Sequence, residues 1–139
     1  LNKYHTPGLW SNTCCSHPRE GEEILDAANR RLIDELGIET SLRKVHDFIY
    51  KAELDNDLTE HEFDHVFYGI YNEDPIINED EADDFKWIDM DSLNEDIKTN
   101  RDNYTIWFKI AFEYFYNYLK YQRSPFQHVL NVLLMGILK

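Results

Sequence analysis

Residues 22–38 read EEILDAANRRLIDELGI, and the spacing of their apolar side chains decides the first element. From Ile24 onward, Leu25, Ala28, Leu32 and Leu36 recur at three and four residues, and Gly37 follows as a stop signal. The stretch predicts an amphipathic helix of about three turns. Beyond it the period changes. Phe48, Tyr50, Ala52 and Leu54 alternate with Asp47, Lys51 and Glu53, the period-two pattern of a half-buried strand. Asp55, Asn56 and Asp57 make a turn, and a second strand from Glu60 to Tyr71 is expected to pair with the first as a hairpin, closed by residues 72–74 ahead of Pro75.

The rest of the chain arranges itself around this helix and hairpin. Upstream, Pro7, Gly8, Trp10, Ser11 and Asn12 form a turn into a strand or loop carrying Thr13 to Pro18. Downstream, five acidic residues among the seven from Asn78 to Asp84 favour a solvated loop over a buried element. Phe85 to Ile88 makes a short strand, and Asp91 and Ser92 are expected to cap a helix supported by Glu95. A last helix from about Tyr104 carries Trp107, Ile110, Ala111, Tyr114, Tyr118 and Tyr121, a stripe that reads as core rather than as a cofactor site. The pattern is α+β.

At 139 residues and 42% hydrophobic content the chain can bury one core and has no room for two ordinary domains. We assign residues 1–121 to that domain and leave 122–139 as an unassigned apolar tail, whose Val129 to Leu138 is too short to span a bilayer. With neither a signal-like N-terminus nor a spanning segment, a cytoplasmic, membrane-free monomer is expected. The net charge of −13 argues against nucleic acid, which draws on clustered Lys and Arg. An anionic ligand such as a diphosphate would need a metal ion and a few basic side chains to reverse the local potential. Cys14 and Cys15 are adjacent, too tight for an ordinary disulfide, so one of them is a candidate working thiol.

Three constellations could carry chemistry. Cys15 and His17, two positions apart, leave one face of an extended segment, so a tunable thiol and a possible metal ligand share a wall. The bland reading is a buried cysteine beside an incidental histidine. Glu60 and Glu62 repeat that spacing, with His61 and His65 on the opposite face; two carboxylates side by side favour a bound cation or a shared proton, although a charged edge strand would look the same. Tyr50 on the facing strand could hydrogen-bond into such a site or simply be half-buried. The third is the helix, where Glu22, Arg30, Arg31, Asp34, Glu35, Gly37 and Ile38 hold a recognisable spacing; Arg31 with Glu35 could equally be a plain i, i+4 surface pair.

That helix resembles the Nudix signature, in which a Gly and a Glu precede an Arg-Glu-apolar-x-Glu-Glu-x-Gly-apolar core. Glu22, Arg30, Leu32, Glu35, Gly37 and Ile38 match; Ser16 stands for the first Gly, Arg31 for one Glu and Asp34 for another. Together with WSNTCCSHP from Trp10 to Pro18, and Glu60-His61-Glu62 followed by Val66-Phe67, it resembles the type I isopentenyl-diphosphate isomerases from about Leu1 to Leu119. The resemblance implies a Nudix-type mixed sheet flanked by helices and an interconversion of isopentenyl and dimethylallyl diphosphate in isoprenoid biosynthesis. It implies that Cys15 is the catalytic thiol, that Glu62 moves protons from the opposite side, and that Tyr50 and Trp107 line the reacting carbons. It further implies that His17, Glu60 and Glu62 hold a divalent ion (Mn2+, Mg2+ or Zn2+), that Glu35 holds Mg2+ together with the diphosphate, and that Lys3 and Arg31 bind the diphosphate. The family takes more histidine ligands, and its N-terminal strands, from a segment before Leu1, so this chain is expected to be a fragment or to have an incomplete metal site. A Nudix hydrolase of a nucleoside diphosphate derivative and a non-catalytic scaffold domain remain the alternatives; the product formed from isopentenyl diphosphate separates them.

Overall fold

The structure is a computed structural model that describes residues 8–14, 17–54, 57–121 and 131–137. In chain order the elements are β1 (Trp10–Ser11), α1 (Ile24–Leu36), β2 (Arg43–Leu54), β3 (Leu58–Tyr68), β4 (Ala82–Asp89), α2 (Met90–Thr99), α3 (Ile106–Tyr121) and β5 (Asn131–Ile137). The α+β reading holds. Helix α1 ends as its sequence predicts, on Gly37 in the left-handed region (φ 63), whose N–H bonds Ile33 O at 2.8 Å. It buries Ala27, Leu32 and Leu36, while Ile24 and Leu25 at its first turn stay exposed.

Strands β2 and β3 form a long antiparallel hairpin, in register from Arg43↔Tyr68 to Leu54↔Leu58 with one irregularity between Lys44 and His46. Asp57, beside the turn, sits at φ 60, a conformation that Asp tolerates better than most residues. The second sheet has the order β1-β5-β4, antiparallel throughout, and a lone parallel bridge joins Trp10 to Tyr104. Its central strand, β5, comes from the apolar stretch that the sequence left without an element. Strand β4 begins at Ala82, earlier than Phe85, so the end of the acidic run is strand rather than loop, with Ala82 buried among Leu32, Leu36 and Ile38.

Helix α2 is capped by Asp89 and not by Asp91 or Ser92. Strand β4 runs straight into the helix, so Asp89, still extended (φ −70, ψ 153), is the residue whose carboxylate accepts from Ser92 N at 2.9 Å. Asp91 instead accepts from the Tyr116 hydroxyl at 2.9 Å. Helix α3 starts at Ile106, two residues after Tyr104, because Thr105 N donates to Trp10 O at 2.9 Å and holds the preceding residues extended. Its core residues are Phe108, Phe112 and Leu119, packed with Met90, Leu93 and Ile97 of α2; Tyr114 and Tyr121 are exposed, against the expected stripe. A second side of α3, with Trp107, Ile110 and Ala111, covers Phe48, Tyr50 and Ala52 of the hairpin. Trp107 touches both clusters and so sits at their seam. Among the described residues no helix is long and apolar enough to cross a membrane.

Candidate active site

The register of the hairpin builds the site. Phe48 faces Asp64, Tyr50 faces Glu62 and Ala52 faces Glu60, and paired residues in an antiparallel ladder point to the same side. Glu60, Glu62 and Asp64 therefore line up on the face that α3 covers, each half-buried. The other face carries Ile49 opposite Phe63, both exposed, and His61 opposite Lys51. A cavity of about 300 Å3 on that outer side, between Leu25, Leu42, His65 and Phe67, holds none of the carboxylates.

Two of the expected site residues close contacts across the carboxylate row. The Tyr50 hydroxyl donates to Glu60 Oε2 at 2.8 Å, and His17 Nε2 lies 3.3 Å from Glu62 Oε2. His17 reaches Glu62 from a loop, with most of its side chain in solvent. Trp107 enters from α3 beside Tyr50, its indole N–H donating to Asn12 Oδ1 at 3.1 Å. Cys14, half-buried, packs against the cluster of Leu32, Leu36 and Ile38. Cys15 and Lys3 lie outside the described residues.

The electrostatics of the row mark it as short of positive charge. Burial pushes the Asp64 carboxyl up to about 6, and the carboxylates of Glu62 and Glu60 push the same way against the opposing pull of His17. A row of oxygen donors with one imidazole suits a divalent cation in charge and in ligand type. Among the described residues, no three His, Cys, Asp or Glu side chains come together as a metal site.

Arg31 and Glu35, on α1, form a separate group. Arg31 Nε donates to Glu35 Oε1 at 3.1 Å, and its NH2 group reaches Glu81 at 3.3 Å. Glu35 is 3% exposed, so this is no ordinary surface pair. Burial lowers the proton affinity of Arg31, but the bonds to Glu35 and Glu81 more than reverse that, and the guanidinium is held firmly charged. Arg30 meets Glu22 with two bonds, 2.8 and 3.0 Å, and this contact, with the Arg19 N–H, draws Glu22 down to about 2. The two arginines of the signature thus bond different carboxylates, Glu22 and Glu35, and both also approach Asp34 Oδ2, at 3.9 and 4.0 Å.

Three polar residues of these groups escaped the sequence reading. Asp64 continues the alternation of Glu60 and Glu62 by one step, and the same period would have found it. Asn12 lies inside the quoted Trp10–Pro18 motif without a role of its own. Glu81 belongs to a run whose charge reads as solvated, and no local pattern points it at Arg31.

A family profile described as NUDIX domain matches residues 2–108. Among curated proteins the chain is 50% identical over 105 residues to isopentenyl-diphosphate Delta-isomerase 2 of Aromatoleum aromaticum, covering 76% of this chain and 56% of that protein. It is 51% identical over 107 residues to isopentenyl-diphosphate Delta-isomerase 2 of Photorhabdus laumondii, covering 77% of this chain and 60% of that one. With isopentenyl-diphosphate Delta-isomerase of Photobacterium profundum the match extends to 125 residues at 43% identity, 88% of this chain and 69% of the relative. The chain thus spans only part of the length of the curated relatives it matches, between 56% and 69% of these three.

Proposed function

Because the chain belongs to the Nudix family and, within it, to the isopentenyl-diphosphate Delta-isomerases, we propose that the protein carrying it interconverts isopentenyl and dimethylallyl diphosphate. The observation that carries this reading is the meeting of His17 with Glu62, beside a Tyr50–Glu60 bond and under Trp107. Moving an unactivated double bond adds a proton at one carbon and removes one from a neighbour, through a tertiary carbocation. A weak acid and a base must stand on opposite sides of the five-carbon chain, in a pocket that excludes water and presents a π face.

Glu62 is the proton-transferring group on the hairpin side, and Cys15 is its counterpart. Tyr50 holds the Glu60 carboxylate by its hydroxyl, while Glu62 meets His17 and faces the substrate. Trp107 closes the pocket and offers its ring to the cation. Arg31 supports the diphosphate, as does Lys3. His17, Glu60 and Glu62 are the residues that would hold a divalent ion, and Glu35 would hold Mg2+; such ions would supply the charge that this carboxylate row lacks and would anchor the diphosphate. A cytoplasmic, monomeric enzyme goes with this reading.

One observation favours a hydrolase as the second reading. Glu81 gives Arg31 a second carboxylate, so the arginine is engaged and not standing open to substrate. The product decides between the two. Incubated with isopentenyl diphosphate and Mg2+, an isomerase yields dimethylallyl diphosphate and no phosphate; release of inorganic phosphate without the isomer would overturn the proposal.

A further inference from the structure

We propose that Asn12 is a positioning residue that holds Trp107 over the hairpin face and ties it to the segment bearing Cys14. The inference rests on the isomerase reading above. Asn12 is half-buried in the loop after β1, and its amide is used at both ends. Oδ1 accepts from Trp107 Nε1 at 3.1 Å and from Ser11 Oγ at 2.9 Å, while Nδ2 donates to the Cys14 carbonyl.

The orientation of the amide is forced. An indole N–H can only donate, so the oxygen must face Trp107, and the NH2 group is left for the carbonyl. Asn alone at this length offers both: Asp lacks the donor, and Ala lacks everything. The frame around it is rigid. Ser11, 1% exposed, shares a 2.9 Å hydroxyl contact with buried Thr105, and Trp10 O takes the Thr105 N–H, so β1 is pinned to the residues that open α3.

What needs such fixing is the ring. Trp107 sits at the seam between the α2–α3 core and the Phe48–Tyr50–Ala52 cluster, and apolar packing on two sides resists lateral shift better than it resists tilt. A hydrogen bond at the rim of the indole sets the tilt. Stabilisation of a carbocation over a ring depends on its position above the face, so a ring free to tilt costs the chemical step more than it costs substrate binding.

The test combines kinetics with a signal from the indole itself. In the full-length protein, Asn12→Ala is expected to lower kcat roughly tenfold with KM changed less than about twofold, as for loss of one hydrogen bond acting in the transition state. In 15N-labelled protein the Trp107 indole N–H resonance, assigned by its loss in Trp107→Phe, is expected to move upfield. Asn12→Asp keeps the acceptor but loses the donor to the Cys14 carbonyl, so it should retain the indole shift while its kcat falls between those of the parent and of Asn12→Ala; it also serves if Asn12→Ala folds poorly. Adding Asn12→Ala to Trp107→Phe should cost less kcat than Asn12→Ala does alone, because the bond to the indole is already gone. An upfield indole with unchanged kcat, an additive double variant, or an Asp variant as slow as the Ala variant would each overturn the inference. Failure of the unsubstituted protein to isomerise is a different result, and it overturns the functional reading together with this one.

Discussion

Replacing Glu81 by glutamine removes the carboxylate that reaches Arg31 from the residue just ahead of β4, 3.3 Å away. If Arg31 serves the diphosphate, the substrate must compete with Glu81 for it, and relieving that competition should tighten binding. Both side chains are about a quarter exposed, at 23% and 24%, so solvent screens the pair and its net worth is of the surface kind, about 0.2–1 kcal/mol. At ~1.4 kcal/mol per factor of ten, KM for isopentenyl diphosphate should fall about 1.4- to 5-fold, with kcat unchanged. Steady-state assays at low ionic strength measure this directly. The gap should shrink as salt is raised, since both the pair and the incoming anion are screened. An unchanged or higher KM at low salt would refute the reasoning; it would mean that Glu81 helps hold the anion site together instead of occupying it.

Further outcomes follow from single contacts. Glu62→Gln should lower kcat by about 10²-fold or more and leave KM within a few-fold, whereas Arg31→Ala should mainly raise KM; near-normal kcat in the first would remove the proton-transfer role. Gly69→Ala should destabilise the protein by ~1–3 kcal/mol, read as a lower urea midpoint at constant m, because the new Cβ would lie 2.7 Å from Thr40 Cγ2 and 2.9 Å from Leu42 Cδ2. Glu22, held well below its ordinary value of 4.5, lends Arg30 a stabilising bond that is full above that value and is lost as the pH falls toward about 2. In Glu22→Gln the stability deficit against the parent should therefore be present at neutral pH and close on acidification; a deficit independent of pH would contradict this.

How far the sequence discloses this molecule depends on how local each cause is. The period of Phe48–Leu54 and the Asp-rich turn specify a hairpin, and Gly37 specifies where α1 ends, because alternation and a left-handed stop are properties of neighbouring residues. The Glu60/Glu62 pairing with Tyr50 follows from the same alternation once the hairpin is granted. What stayed hidden is non-local. The cap moved from Asp91 to Asp89 because β4 runs into α2 without a loop, and the run around Glu81 looked solvated because nothing nearby says that Arg31 waits across the fold. The two buried sides of α3 overlap in sequence, so a single stripe could not separate Phe108 and Phe112 from Trp107 and Ile110. Asn12 is joined to Trp107 across nearly the whole domain, a distance at which spacing carries no signal.

The strict pairing of β2 with β3 also bears on how such a chain can change its length over generations. Deleting or inserting one residue between Glu60 and Asp64 would turn one end of the row over, bringing His61, or Phe63 and His65, under α3 in place of acids. Two residues at once would restore the side but move every group one rung along. Length changes are therefore tolerated at the ends of the ribbon, near the turn at Asp57 or at the irregularity between Lys44 and His46, where a step is absorbed before it reaches the carboxylates. The outward-facing Ile49 and Phe63 can be exchanged without touching the row, whereas the count of residues from Glu60 to Asp64 decides which side chains α3 covers.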